Sequence, residues 1–252
     1  MTTTVQPTAA TKRIPMDSLR KTALVAGALY LITFATSIPA RILFGPVRND
    51  PNYILGPGAD AQVLFAGFLD VMLALACFGT AVALYPVVRR QNEGVALGFV
   101  GSRVLEAAII ISGVVSLLSV VTLRQAGAGA DALVTGQALV ASYDWTFLFG
   151  PGFMAVINAL LLGSLMYRSG LVPRIIPLVG LIGAPLLFAS DVAVLFGAWE
   201  QMSLPAGIAT IPVALWEFSL GVWLVVKGFN PSPITASMTA TTGPASREAA
   251  AV

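Results

Sequence analysis

The chain has 252 residues, of which 57% are hydrophobic and only 10% charged, with 14 Lys or Arg against 12 Asp or Glu. Mean hydropathy is +0.86. Soluble domains carry about 25% charged residues, so this composition excludes an ordinary soluble domain and a disordered chain. The net charge of +2 comes without a dense basic patch, which excludes a nucleic-acid binder. The absence of His removes imidazole catalysis and His-ligated metal, and Cys77, the single Cys, can form neither an internal disulfide nor a cysteine metal cluster.

Residues 1–16 are rich in Thr and Ala and lack periodicity, which predicts a disordered tail; residues 230–252 have the same character. Between the tails, a single transmembrane domain over 17–229 is predicted. Its apolar stretches lie at about 22–44, 61–88, 94–123, 145–167, 175–198 and 205–227. Each approaches the roughly 20 residues that cross a bilayer. The predicted fold is therefore all-α, a polytopic integral membrane bundle of about six transmembrane helices. The first stretch follows Arg20 and Lys21 like a signal sequence but has no small-x-small cleavage site, and reads as an uncleaved anchor. In the 124–144 connection, residues 132–144 have the pattern of a short interfacial helix, and Asp144 reads as the N-cap of the fourth span.

Lys and Arg are distributed unevenly at the span ends. Lys12, Arg13, Arg20, Lys21, Arg89, Arg90, Arg168, Arg174, Lys227 and Arg247 fall on one side, and Arg41, Arg48 and Arg124 on the other. The positive-inside rule then places both termini in the cytoplasm.

Six polar residues fall inside the spans: Asp70, Arg103, Glu106, Asn158, Asp191 and Glu217. A charged group at the bilayer centre costs about 2.5–3.5 kcal/mol on insertion scales, so these residues are expected to face the bundle interior. Arg103 and Glu106, at i and i+3, share a helix face and are expected to pair. Asp70 and Glu217 are candidates for a second carboxylate on the same guanidinium. Four acids against one base leave a surplus, which calls for protonation, hydration or a bound cation. Asn158 is expected to make an interhelical hydrogen bond, and Asp191 to snorkel to the outer interface. Gly94, Gly98, Gly101 and Ser102 form a small-residue stripe where a neighbouring backbone is expected to approach, and Pro185 and Pro212 are expected to kink or break their helices.

Catalytic and cofactor motifs are absent. There is no metalloprotease motif, no nucleophile elbow and no phosphate-binding loop, and no Lys lies deep in a span. The chain is expected not to be an enzyme and to need no cofactor or metal.

The segments RKTALVAGALYLITF (20–34), ALYPVVRR (83–90), GSRVLEAAII (101–110), YDWTFLFGPGF (143–153), YRSGLVPRIIPLVG (167–180) and WEFSLGVWLVVKGF (216–229) resemble, in order, the recurrent blocks of a bacterial membrane family called domain of unknown function 4386. The resemblance covers about residues 17–229. It implies an integral membrane protein of six or seven spans and no particular activity.

Three readings of function follow. In the first, the polar cluster binds or moves a proton, a cation or a small polar solute. In the second, the cluster only fixes helix packing in a structural or regulatory membrane partner. The third, an intramembrane enzyme with two carboxylates as acid and base, has the least support. The lipid bilayer is the expected surrounding in all three.

Overall fold

The computed structural model describes residues 18–236, so the predicted tail 1–16 and most of the predicted tail 230–252 lie outside the described residues. The helices are α1 (Ser18–Leu43), α2 (Gly45–Asn49), α3 (Asp60–Val88), α4 (Glu93–Gln125), α5 (Leu133–Phe147), α6 (Ala155–Ser169), α7 (Ile175–Leu195) and α8 (Leu204–Val226). A π-helical stretch, Leu148–Met154, joins α5 to α6. Gly129–Ser169 is thus one helical span of 41 residues. Together with α1, α3, α4, α7 and α8 it makes 6 helices long and apolar enough to cross a membrane. The protein is an all-α, multi-pass membrane bundle.

The fourth span corrects two expectations. Residues 133–144 are not a separate interfacial helix but the first turns of this span. Asp144 lies inside α5 and caps nothing; its Oδ1 accepts from Arg48 Nη2 at 2.6 Å and Nε at 3.1 Å. The irregular point falls at Pro151 instead. Pro has no N–H to donate, and a wider π turn absorbs the missing bond while the helix continues. By contrast, α7 and α8 run unbroken through Pro185 and Pro212.

The spans form a closed ring. α1 packs on α3, α3 on α4, α4 on α5 and α6, α6 on α7, α7 on α8, and α8 back on α1. One end of the ring carries Arg20, Arg89, Arg168, Arg174 and Lys227; it is called the basic end below. Here all spans contribute to one dense cluster that includes Trp216, Leu84, Phe99 and Leu162. At the opposite end the cluster of Phe44, Val63, Leu117 and Tyr143 joins only α1 to α5. α7 and α8 contribute nothing to it, so the ring is filled at the basic end and open in its other half.

Close helix contact depends on a few glycines. A Cβ on Gly27 would stand 2.7 Å from the Gly221 carbonyl oxygen, so the α1–α8 seam requires a bare backbone. Gly180 meets the Trp216 ring and Gly183 meets Pro212 in the same way across α7 and α8. The stripe at Gly94, Gly98, Gly101 and Ser102 is split: Gly98 and Ser102 face Leu161 and Asn158 of α6, with Leu161 3.5 Å from a Cβ on Gly98, whereas a Cβ on Gly101 would meet nothing within 4 Å. Small residues matter only on faces that meet another helix, and Gly101 does not lie on one.

Both ends are tied by side chains. At the opposite end, Arg124 pairs bidentately with Asp60 and donates to the Gly56 carbonyl at 3.1 Å. The guanidinium packs on Gly58, whose φ of +60° and missing Cβ both suit the site. Tyr53 donates to Asp60 Oδ1 at 2.8 Å, and burial together with that carboxylate pushes its phenol up to about 12.

At the basic end, Arg20 donates to the Leu224 and Val225 carbonyls at 2.9 and 2.6 Å, capping α8 from α1. Residues 230–236, assigned to the tail from composition, lie against the α6–α7 turn. Ser232 Oγ donates to the Ser169 carbonyl at 2.6 Å, and Asn230 N–H to the Leu171 carbonyl at 2.8 Å. These backbone acceptors at helix ends have no partner within their own helices, which a composition count does not register. Arg20→Ala is expected to lower stability by about 1–2 kcal/mol, since it removes charge-assisted bonds to a helix C-terminus. Denaturant titration in detergent would measure it, and an unchanged midpoint would show that α8 needs no cap from α1.

Candidate functional site

Midway along the ring, α4 presents Arg103 and Glu106 inward. Arg103 Nη1 donates to Glu106 Oε2 at 2.9 Å, as the i, i+3 spacing predicts. The second carboxylate on the guanidinium is Glu217 of α8, whose Oε1 lies 2.6 Å from Nη2. Asp70, the other candidate, is not bonded to Arg103. Nη2 also donates to the Tyr30 hydroxyl at 3.1 Å, and Nη1 lies 3.7 Å from Cys77 Sγ. Asn158 of α6 donates to Glu106 Oε2 at 2.7 Å and accepts from Ser102 through Oδ1. One network therefore links α1, α3, α4, α6 and α8 at a single level.

The network is dry on one side and faces a cavity on the other. Arg103 is 2% exposed and Glu106 5%, whereas the Glu217 side chain keeps 16%. Fully desolvated ion pairs are costly unless their remaining polar atoms are satisfied. Arg103 with Glu106 meets this condition in large part, through Asn158, Tyr30 and Glu217, and among the described residues only Nε of the guanidinium is left without a partner.

A cavity of about 460 Å³ occupies the open half of the ring, with Arg103, Glu106 and Glu217 on its floor. Its wall is mostly apolar, with Phe34, Ile38, Ile110, Leu187 and Val213 among the lining residues. The volume falls within the roughly 300–1,000 Å³ of small-molecule sites. Ile38 and Ile42 both line it and are exposed, at 58% and 71%, so the cavity reaches the surface beside α1.

Asp70 of α3 lies in the wall. It is 7% exposed and makes no hydrogen bond among the described residues. Arg41 of α1 stands near the rim. Its Nη2 donates to Met202 Sδ at 3.1 Å, a weak acceptor, while Nε and Nη1 are buried without a hydrogen-bond partner among the described residues. The guanidinium rests on the Phe147 ring at 4.1 Å and lies 5.8 Å from that of Tyr143.

Asp191 does not snorkel. It is 7% exposed, and a Cβ on Gly152 would come within 3.0 Å of its Oδ2. Oδ2 and the neighbouring Ser190 Oγ have no hydrogen-bond partner. The carboxylate thus points into the bundle against the π-helical turn, outside the Arg103 network and away from the cavity lining. Among the described residues, no three His, Cys, Asp or Glu side chains gather as a metal site.

Of the six polar residues singled out from sequence, four form or flank one site: Arg103, Glu106 and Asn158 are bonded together and Glu217 closes the network. Asp70 shares the cavity but not the bonds, and Asp191 stands apart. Tyr30, Cys77 and Arg41 were missed. Tyr30 lies about as far from the start of α1 as Arg103 does from the start of α4, and that shared depth was the available signal. Arg41 sits so near the end of α1 that it counted as a loop charge.

Neither a curated protein nor a solved structure matches the chain. One family profile does, over residues 25–228, and this range includes most of α1, all of α2 to α8 and every polar residue of the site. The chain therefore belongs to the family described as domain of unknown function (DUF4386).

Proposed function

We propose that the protein is a bacterial inner-membrane protein, with both termini in the cytoplasm, that binds or moves a small polar or charged solute through the cavity above Arg103. The observation that carries this reading is a half-open cavity of about 460 Å³ whose floor is an ion-pair network and whose wall holds the unbonded Asp70. Charges inside a membrane protein are expensive and most often mark a solute or ion pathway.

The two halves of the network have different duties. Arg103, Glu106, Asn158 and Ser102 bond mainly to one another and hold α4 against α6. Glu217 and Asp70 present carboxylate surface to the cavity. The packing role and the binding role thus fall on different residues of one cluster. The reading is non-catalytic, and the basic end is taken as cytoplasmic from its Lys and Arg excess.

The test is thiol accessibility in intact cells. Ser37 lines the cavity, and Cys77 is replaced by Ser to remove the native thiol. Ser37→Cys is expected to react with a membrane-impermeant sulfonated thiol reagent added outside, and Ser164→Cys, near the basic end, to stay unreacted. Reaction at Ser37→Cys only after the cells are opened would reverse the orientation. No reaction from either side would remove the cavity as a solute site.

A further inference from the structure

We propose that the ligand of this cavity is a zwitterion with an apolar body, its ammonium group on Asp70 and its acidic group on Arg41. The proposal rests on the solute-binding reading above and names the class of solute.

Asp70 and Arg41 are the two charges lining the cavity that make no ion pair among the described residues. The three cavity groups deeper down are paired with one another: Arg103 takes both Glu106 and Glu217. Near the rim, Arg48 is taken by Asp144, so its guanidinium is committed. Among the described residues, Asp70 has no hydrogen bond, and two nitrogens of Arg41 have none. Asp70 and Arg41 line the same cavity, yet no ion pair joins them. Tyr143 also lines the cavity, with its ring 5.8 Å from the Arg41 guanidinium.

Burying an unpaired carboxylate and a half-satisfied guanidinium in the lining of one cavity is costly to each. A cation alone satisfies Asp70 and adds repulsion at Arg41; an anion alone does the reverse. A molecule that carries both charges satisfies both sides at once. The wall between them is apolar, formed by residues such as Phe34, Ile38, Ile110 and Val213, and suits a hydrocarbon group attached to the charged end. Because the cavity reaches the surface beside Ile38 and Ile42, the same chemistry can come from a free apolar amino acid or from an ethanolamine phospholipid headgroup.

The experiment uses the full chain in a maltoside detergent, which has no charged headgroup. The readouts are melting temperature and protection of Ser37→Cys from the thiol reagent. The probes are L-leucine, leucinamide with only the ammonium, N-acetylleucine with only the carboxylate, and dihexanoylphosphatidylethanolamine.

At least one of the two zwitterions is expected to bind at least tenfold more tightly than either singly charged probe. Asp70→Asn is expected to erase the preference for leucine over N-acetylleucine, and Arg41→Gln that over leucinamide. If the phospholipid is the tighter zwitterion, its affinity is the one expected to fall in both variants. Binding by leucine identifies a free solute and binding only by the phospholipid identifies a lipid headgroup; either result supports the proposal. Equal affinity for leucine and leucinamide, with Arg41→Gln silent and no tighter binding by the phospholipid, would overturn it in favour of a simple cation. If no probe acts while Ser37→Cys still reacts, the zwitterion is wrong and the open cavity stands. If Ser37→Cys does not react either, both fall.

Discussion

Arg103→Leu is expected to destabilise the protein by about 3–5 kcal/mol, the cost of breaking a buried ion pair from one side. The guanidinium is 2% exposed and serves Glu106, Glu217, Tyr30 and Cys77 together. Its removal leaves two carboxylates facing one another across the ring without a counter-charge. Much of the loss should be recovered by the triple variant Arg103→Leu, Glu106→Gln, Glu217→Gln, because neutral amides remove the uncompensated charge rather than the packing. Reversible unfolding in detergent measures both. If the single variant loses less than about 1 kcal/mol, water reaches the network from the basic end, and the dense cluster there does not seal it.

The two glutamates should differ. Glu106 Oε2 accepts from Arg103 and Asn158 at once, so Glu106→Gln disturbs two bonds in a dry setting. Glu217 is partly exposed to the cavity, and Glu217→Gln should cost less. Equal losses would mean that the cavity floor is as dry as its far side.

Gly27→Ala is expected to cost about 1–3 kcal/mol, although Ala is the better helix former. The added Cβ would meet the Gly221 carbonyl oxygen at 2.7 Å and Val225 N at 2.8 Å. These are backbone atoms and cannot swing away, so α1 and α8 must separate. Without a hydrophobic driving force between helices in lipid, such close packing supplies much of their association. Tyr30, one turn along α1, lies against Gly221 and reaches Arg103, so a wider seam should also weaken the network. Gly101→Ala is the control, since its Cβ would meet nothing within 4 Å; it should be neutral or stabilising by up to about 1 kcal/mol. Melting temperatures of the two variants side by side decide the matter. Equal effects would place the glycine requirement in helix propensity rather than in the seam.

Local spacing made part of the site legible. Arg103 and Glu106 share a face because three residues nearly complete a helical turn, and no other part of the fold is needed to bring them together. The membrane spans were legible for a similar reason, since every backbone polar group in lipid must be satisfied within its own helix and only long apolar runs can do this. The start of the fourth span was less so. An apolar run ending at Asp144 looked like a loop because the residue that satisfies Asp144, Arg48, comes 96 positions earlier.

Sequence by itself determined the membrane class of this protein, its six crossing segments, the inward-facing charges and the pairing of Arg103 with Glu106. Tertiary structure alone decided that Glu217 and not Asp70 completes the pair, that Asn158 bonds Glu106, that Asp191 turns inward against a π-helical turn, and that Arg41 and Asp70 face one cavity without an ion pair between them. The physical reason is the order of helices around the ring. Periodicity fixes the face on which a side chain stands, but the neighbour across that face depends on α8 closing against α1, which is a contact between segments nearly 200 residues apart.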